Sequence, residues 1–366
     1  MLSGERRRYI DWTRGLAVLV MIEAHTLDAW TRLADRQTPA YRNLIILGGF
    51  AAPLFLWLAG VATVLAAERV ARRTGDRRLA ALTICRRGLE IFILAFLFRV
   101  QAFIVSPGNS LLSLFRVDIL NVMGPSIVAT GVVWACCRRR STLTIAFAVL
   151  AVAVAMLTPP IRSAEWVSML PVWVQWHLRP AGDHTAFTAF PWSGFVLGGG
   201  ALGALLAGEE EVGSERRLHL AIAAFGTGLV ALGFYTASLP PLYRDSSFWT
   251  SSPTYFAIRF GAMMVALALI YFCEPLVAPG SIVVAPLERM GRSSLFIYWI
   301  HVELVYGYAS WPLRRKLPLA QALVAYALFC LLMYGAVVLR DRVVQARRMK
   351  RGKRSSSQMA QELTTR

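Results

Sequence analysis

The sequence predicts an all-α protein: a polytopic integral membrane helical bundle of about ten transmembrane helices with both termini cytoplasmic. Three observations carry this. Of the 366 residues, 56% are hydrophobic, and the mean hydropathy is +0.52. Only 16% are charged, against about a quarter in a soluble domain. The apolar residues come in long blocks, not in the alternation of an amphipathic globular fold. A soluble chain of this size has nowhere to bury so much apolar surface. Collagen, coiled coil, disordered chain and secreted disulfide scaffold are excluded.

Ten segments run over 11–30, 44–67, 86–105, 119–137, 143–160, 190–207, 218–238, 254–277, 293–311 and 319–339. The first opens behind Arg6, Arg7 and Arg8 like a signal peptide. Glu23, His25 and Asp28 interrupt its apolar run and no small-residue cleavage site follows closely, so it is read as a retained helix. The fifth and sixth are shorter or softer than an ideal span of about 20 residues. The ninth is weakened by Gly307 and stopped by Pro312, so irregular packing is expected there. The largest outer loop, 161–189, carries Trp166, Trp173 and Trp176, which suit an interfacial belt or a lid lying on the bilayer. One membrane domain thus covers 1–343, and the basic, then polar, tail 344–366 is read as disordered and cytoplasmic.

Orientation follows from the basic residues. About two thirds of the 39 Lys and Arg fall on the side of the N-terminus, notably Arg69–Arg87, Arg138–Arg140 and the tail, which makes that side cytoplasmic. One outer loop, Arg314–Arg315–Lys316, disagrees; it either caps the ninth and tenth helices or marks a shift in the count. The net charge of +18 therefore reports topology, not nucleic-acid binding. The five cysteines, Cys85, Cys136, Cys137, Cys273 and Cys330, show no paired spacing and read as packing residues. No metal motif occurs. Gly198-x-Gly200-x-x-Gly203 matches a dinucleotide fingerprint in form only. It lies in an apolar helix with no preceding strand, so it reads as small residues for close helix packing. Glu209, Glu210 and Glu211 read as a solvated cytoplasmic loop.

The informative residues are the polar ones inside the spans, each costing about 3 kcal/mol at mid-bilayer. The first segment carries Glu23, His25 and Asp28; the third Arg99 and Gln101; the fourth opens with Asp118 and Asn121; the eighth carries Arg259; the ninth His301 and Glu303. With the topology above, all fall at mid-depth or in the outer half. His25 lies 14 residues past Asp11, roughly 21 Å along a helix, or about two thirds of the way across a core about 30 Å thick. Five segments converge on one polar chamber open to the outside. Taken singly, Arg99 with Asp118 and Arg259 with Glu303 read as well as structural ion pairs, and His301 as a satisfied core histidine. The set gathered at one depth favours a functional cavity.

Several stretches carry a family likeness. They are Arg8-Tyr9-Ile10-Asp11-Trp12-Thr13-Arg14-Gly15-Leu16-Ala17 followed by His25, Ala52-Pro53-Leu54-Phe55-Leu56-Trp57-Leu58-Ala59-Gly60, and Arg116-Val117-Asp118-Ile119-Leu120-Asn121-Val122-Met123-Gly124. Phe190-Pro191-Trp192 and the run from Gly291 to His301 follow in order. The chain resembles the transmembrane acyltransferase superfamily, in its bacterial heparan-α-glucosaminide N-acetyltransferase-like branch. The resemblance implies transfer of an acyl group, usually acetyl, from cytoplasmic acyl-CoA to a sugar or glycan acceptor on the far side of a bacterial inner membrane. It departs at one place. The animal enzyme's proposed catalytic histidine lies between its first two helices, and Arg36 to Asn43 contains none here. His25 is the better match.

On that footing an acetyl-CoA-dependent O- or N-acetyltransferase is expected, with His25 as general base and Asp28 or Glu23 orienting it; an acyl-histidine route stays open. Arg99 or Arg259 would polarise the thioester carbonyl. Arg7, Arg8 and Arg14 at the cytoplasmic mouth would grip the CoA phosphates, or serve only as positive-inside anchors. Asp118, Asn121 and His301 complete the chamber. Asp11 and Arg14, one turn apart, are expected to pair. The alternative is a proton-coupled small-molecule transporter, which also needs polar groups along a membrane path. A non-catalytic scaffold leaves the polar residues unexplained. A homo-oligomer is compatible with the pattern.

Overall fold

The computed structural model describes residues 7–106, 110–209, 212–278, 280–282 and 284–364, with side chains described through Arg347 and at Met349. Arg6, Glu210 and Glu211 lie outside the described residues. Among the described residues every regular element is a helix. They are α1 (Arg8–Trp30), α2 (Pro39–Gly48), α3 (Ala51–Thr74), α4 (Arg77–Val105), α5 (Ile119–Cys136), α6 (Arg140–Ser163) and α7 (Val172–Leu178). Then come α8 (Ala189–Leu206), α9 (Val212–Ala237), α10 (Pro253–Cys273), α11 (Ala285–Arg292), α12 (Ser294–Tyr306) and α13 (Leu319–Thr364).

Eight helical stretches among the described residues are long and apolar enough to cross a membrane: α2 with α3, α4, α5, α6, α8, α9, α10 with its following turn, and α13. The chain is a polytopic helical membrane bundle. The ten segments expected exceed this by two, α1 and α12, for different physical reasons. α1 has the length, 23 residues, but carries Asp11, Arg14, Glu23 and Asp28. α12 has 13 residues, about 20 Å of helix, short of a core about 30 Å thick. It ends where Gly307 turns extended, and a 3₁₀ turn holding Pro312 follows, the irregularity expected of the ninth segment. α13 runs through position 343 without a break, so its backbone continues as helix where the tail reads as disordered.

The local signals are ordinary. α3 closes on Gly75 at φ +69°, a left-handed conformation that glycine adopts without a Cβ clash. α4 then starts from Asp76, whose carboxylate accepts from the Leu79 N–H at 3.0 Å. α5 starts from a capping box in which the Asp118 carboxylate accepts from the helix start and Asn121 Oδ1 accepts from the Asp118 N–H at 2.9 Å.

α3 and α8 pack backbone on backbone. A Cβ on Gly199 would overlap the Trp57 carbonyl, and one on Gly60 the Val196 carbonyl. The glycine run in α8 thus serves helix packing, as its sequence context suggests. α1 crosses α11 in the same manner, Gly291 lying on the Asp11 carbonyl. Around α3 and α8, Leu56, Trp57, Phe147, Val196 and Leu206 form the main core. Val18, Ile22, Ile297, Met333 and Val337 form a second between α1, α12 and α13. Leu89, Ile93 and Leu97 of α4, and Phe225 and Leu232 of α9, face outward, where hydrocarbon is the fitting solvent.

The Arg314–Arg315–Lys316 triplet folds back onto the end of α1. Arg315 N–H donates to Ala29 O and Leu317 N–H to Trp30 O, both at 2.9 Å. Its backbone therefore anchors α1, while the α13 start is bonded through Leu319 N–H to Asp35 at 2.7 Å. The 161–189 loop is held to the bundle where Val117 bridges Thr185. In it Trp166 and Trp173 are exposed, and Trp176 stacks on His184.

Candidate active site

The helices enclose a cavity of about 1300 Å³. That exceeds the roughly 300–1,000 Å³ of a usual ligand pocket. On α4 its wall runs from Ile84 to Ser106, 22 residues, or roughly 33 Å. The cavity is therefore about as long as a bilayer core is thick. Its two ends differ. Near Arg14 and Arg87 the α3 wall is a lane of small residues, Ala59, Ala62 and Ala66. The other end holds His25, Asp28, Arg99, Arg116, Asp118, Arg162, Arg259, Glu303 and Arg314.

At that end two imidazoles meet. His25 Nδ1 lies 2.8 Å from His301 Nε2, and His301 Nδ1 lies 2.8 Å from the Ile297 carbonyl oxygen. A carbonyl only accepts, so His301 Nδ1 carries the proton. With both rings neutral, His301 Nε2 then accepts from His25 Nδ1–H, which leaves the lone pair of His25 on Nε2. His301 is fully buried and does not line the cavity, whereas His25 does. One ring faces the cavity and the other fixes its tautomer.

The carboxylates around them are tied down. Arg99 pairs with Asp118, which also accepts from Tyr298 Oη–H at 3.4 Å. Glu303 accepts from Ser106 Oγ–H at 3.1 Å. Asp28 accepts from Tyr306 Oη–H at 2.9 Å and pairs with Arg36 at 3.5 Å.

A family model described as heparan-α-glucosaminide N-acetyltransferase, catalytic, matches residues 6–240. The chain belongs to that family. No curated protein matches it. As a member of the heparan-α-glucosaminide N-acetyltransferase catalytic family, it is a membrane protein of an acetyltransferase class. The matched range holds His25 and everything through α9, while Arg259 on α10 and His301 on α12 lie beyond it.

The residues singled out in the sequence separate into groups. His25, Asp28, Arg99, Asp118 and Arg259 line one cavity, with His301 directly behind His25. Arg14 lines its opposite end and pairs with Asp11 at 3.7 Å, the pairing expected. Arg7 lies elsewhere, bonded to Glu215 at 2.8 Å and to the Leu206 carbonyl at 2.9 Å. Arg8 pairs with Glu288 at 3.7 Å and sits over the Trp12 ring. Asn121 is buried and spent on the α5 cap. Glu23 is buried beside Gly48, outside the cavity lining, with no hydrogen bond to either carboxylate oxygen, so it does not bond His25. The expected Arg259–Glu303 pair does not form; Arg259 instead lies over the Tyr255 ring at 4.1 Å.

Sequence reasoning missed Arg87, Arg116, Arg162, Trp192, Tyr298 and Tyr306 as lining residues. Tyr298 and Trp192 stood within quoted motifs, but nothing in a lone sequence separates them from core aromatics. Arg162 counted as a loop charge; α6 continues to Ser163 and carries it inward.

Proposed function

We propose that this protein transfers acetyl from acetyl-CoA to a hydroxyl or amine of a sugar acceptor, with His25 as the base and His301 as the residue that positions it. The observation that carries this reading is the bond chain Ile297 O, His301, His25, because it presents a basic Nε2 to the cavity. Acetyl-CoA enters by the Arg14 and Arg87 end, where guanidinium groups suit its phosphates. The thin pantetheine arm lies along Ala66, Ala62 and Ala59 and brings the thioester to His25. The acceptor occupies the charged end.

As the acceptor O or N attacks the thioester carbonyl, His25 Nε2 takes its proton. Collapse of the tetrahedral intermediate expels CoA thiolate, which recovers that proton from the imidazolium. Throughout, His25 Nδ1–H stays on His301 Nε2. Arg99 or Arg259, both in the cavity lining, would polarise the thioester carbonyl and receive the developing oxyanion. With basic loops inside, the Arg14 end faces the cytoplasm and the acceptor end the periplasm, in a bacterial inner membrane.

The test is acetyl transfer from labelled acetyl-CoA by purified protein, wild type beside His25→Ala, over sugar and amine acceptors. Loss of a general base lowers kcat by about 10²–10⁴-fold. Retained turnover in His25→Ala would remove His25 from the chemistry. Failure of folded wild type to bind acetyl-CoA would move the reading to the transporter, for which the same cavity is a permeation path.

A further inference from the structure

Two loops at the charged end of the cavity contain runs without any charge. Leu111 to Phe115 holds no charged residue, and neither does Trp166 to Trp176. Both runs nevertheless present large apolar side chains to the outside. Leu111, Leu112 and Phe115 stand out from the 3₁₀ turn Leu111–Phe115, with Leu111 72% exposed. Trp166, Met169, Val172 and Trp173 stand out from the 3₁₀ turn Glu165–Met169 and the start of α7, with Met169 84% exposed. Single exposed apolar residues are ordinary, but seven in two charge-free runs mark a surface that meets something other than water.

The length of α4 says what that is. Arg86, Arg87 and Glu90 are its last exposed charges, because Arg99 turns inward to Asp118. Past Glu90 the outward residues are Ile93, Leu97, Val100 and Ile104, the spacing of one helix face. From Glu90 to the helix end at Val105 is 15 residues, roughly 22 Å. A hydrocarbon core is about 30 Å thick, so α4 stops about 8 Å short of the far boundary. The chain then stays beside the helix: the turn Leu111–Phe115 packs back against α4. Its exposed side chains thus continue a lipid-facing stripe over the missing depth.

The two runs belong to one lid. Val117 N–H donates to His184 O and Ala186 N–H to Val117 O, both at 2.9 Å, which joins the chain after the first turn to the end of the second loop. Gln175 Nε2 donates to Leu170 O at 2.8 Å and to Ser168 O at 3.1 Å, closing the corner between the turn Glu165–Met169 and α7. The inner side of the same lid lines the cavity through Arg116, Pro180 and the stretch Thr185 to Thr188. A short apolar element lying in the membrane interface sinks about 5–10 Å into the boundary of headgroups and acyl chains, which matches the depth that α4 leaves uncovered. Tryptophan is enriched in that layer.

We propose that both runs are sunk in the interfacial layer of the bilayer at the charged end of the cavity, with Leu111, Leu112, Met169 and Trp173 reaching hydrocarbon, so that the lid over the cavity rests on lipid. The occupant is the lipid leaflet itself, because the first run continues a helix face that already meets lipid and the lid carries the second run beside it. This anchoring requires nothing of the chemistry at His25.

The experiment is tryptophan fluorescence of the full chain in nanodiscs of phosphatidylcholine, with ordinary or brominated acyl chains. Trp173→Phe removes a reporter from one run and Leu112→Trp adds one to the other. Asp183→Trp, at an exposed and charged position of the same loop, is the water reference. The intensity that Trp173→Phe removes and the intensity that Leu112→Trp adds should both be quenched by brominated lipid. If brominated lipid leaves either unchanged, the inference is overturned: quenching by iodide would then put that run in water, and shielding from iodide would put protein over it. Leu112→Asp and Met169→Asp give a second reading. A charge on a water-facing loop is nearly neutral, whereas one placed at the hydrocarbon edge resists insertion, so both variants should lower the thermal midpoint in nanodiscs. Midpoints equal to that of wild type also overturn the inference.

Discussion

Removal of the acceptor behind His25 separates a tautomer lock from mere burial. His301→Phe keeps a ring of similar volume but has no nitrogen for the His25 Nδ1–H, which donates across 2.8 Å in the native pair. The variant leaves either a buried donor unsatisfied or the proton on Nε2, where it blocks the base. A buried unsatisfied donor costs about 1–3 kcal/mol. At about 1.4 kcal/mol per factor of ten, kcat should fall by roughly 5- to 150-fold. KM for acetyl-CoA should hold, because His301 does not line the cavity. His301→Gln, which restores an acceptor at similar reach, should recover much of the loss. The assay is steady-state acetyl transfer in nanodiscs over a pH series, beside a thermal melt of each variant. A folded His301→Phe protein with wild-type kcat would refute the lock. So would a His301→Gln protein as slow as His301→Phe, since volume alone would then explain both.

Two further outcomes follow from the packing and the surface. Gly199→Leu should lower the thermal midpoint in detergent, by overpacking worth about 1–3 kcal/mol, because its side chain must enter space held by the Trp57 carbonyl. Gly213→Leu, with nothing within 4 Å of its Cβ, is the control and should not lower it. The Leu319 N–H and then Arg32 hold the Asp35 carboxyl below its ordinary value. A depressed folded value means stability that is present at neutral pH and lost as pH falls from about 4 through the folded value. Wild type should therefore lose thermal stability on acidification in a step that Asp35→Asn lacks.

The bundle was legible because apolar blocks report the solvent a helix meets, whatever packs beside it. Gly198, Gly200 and Gly203 were legible for a similar reason, as small residues in an apolar helix have few uses besides close approach. The polar chamber was legible at the level of depth, since position along each helix fixes it. Direction around a helix was not. Glu23 and His25 are two residues apart, about 200° around α1, so one lines the cavity and the other does not. Asn121 looked like a polar residue in a span and is a helix cap; the distinction rests on the backbone just before it. The His25–His301 contact joins residues 276 apart and left no mark in spacing.

That long-range contact bears on how the reading of the family extends to this chain. The matched range ends at residue 240 and so contains His25, the lane of small residues and Arg162, but not His301, Arg259 or Tyr298. Without His301 the His25 ring is free to hold either tautomer. The setting of His25 therefore belongs to neither part alone. α1 lies against α3 on one flank and against α11, α12 and α13 on the other. It carries His25 where the two flanks meet, and Gly15 lets α11 come close enough for α12 to follow at bonding distance from that ring. The placement of one histidine is thus set from both flanks of the bundle.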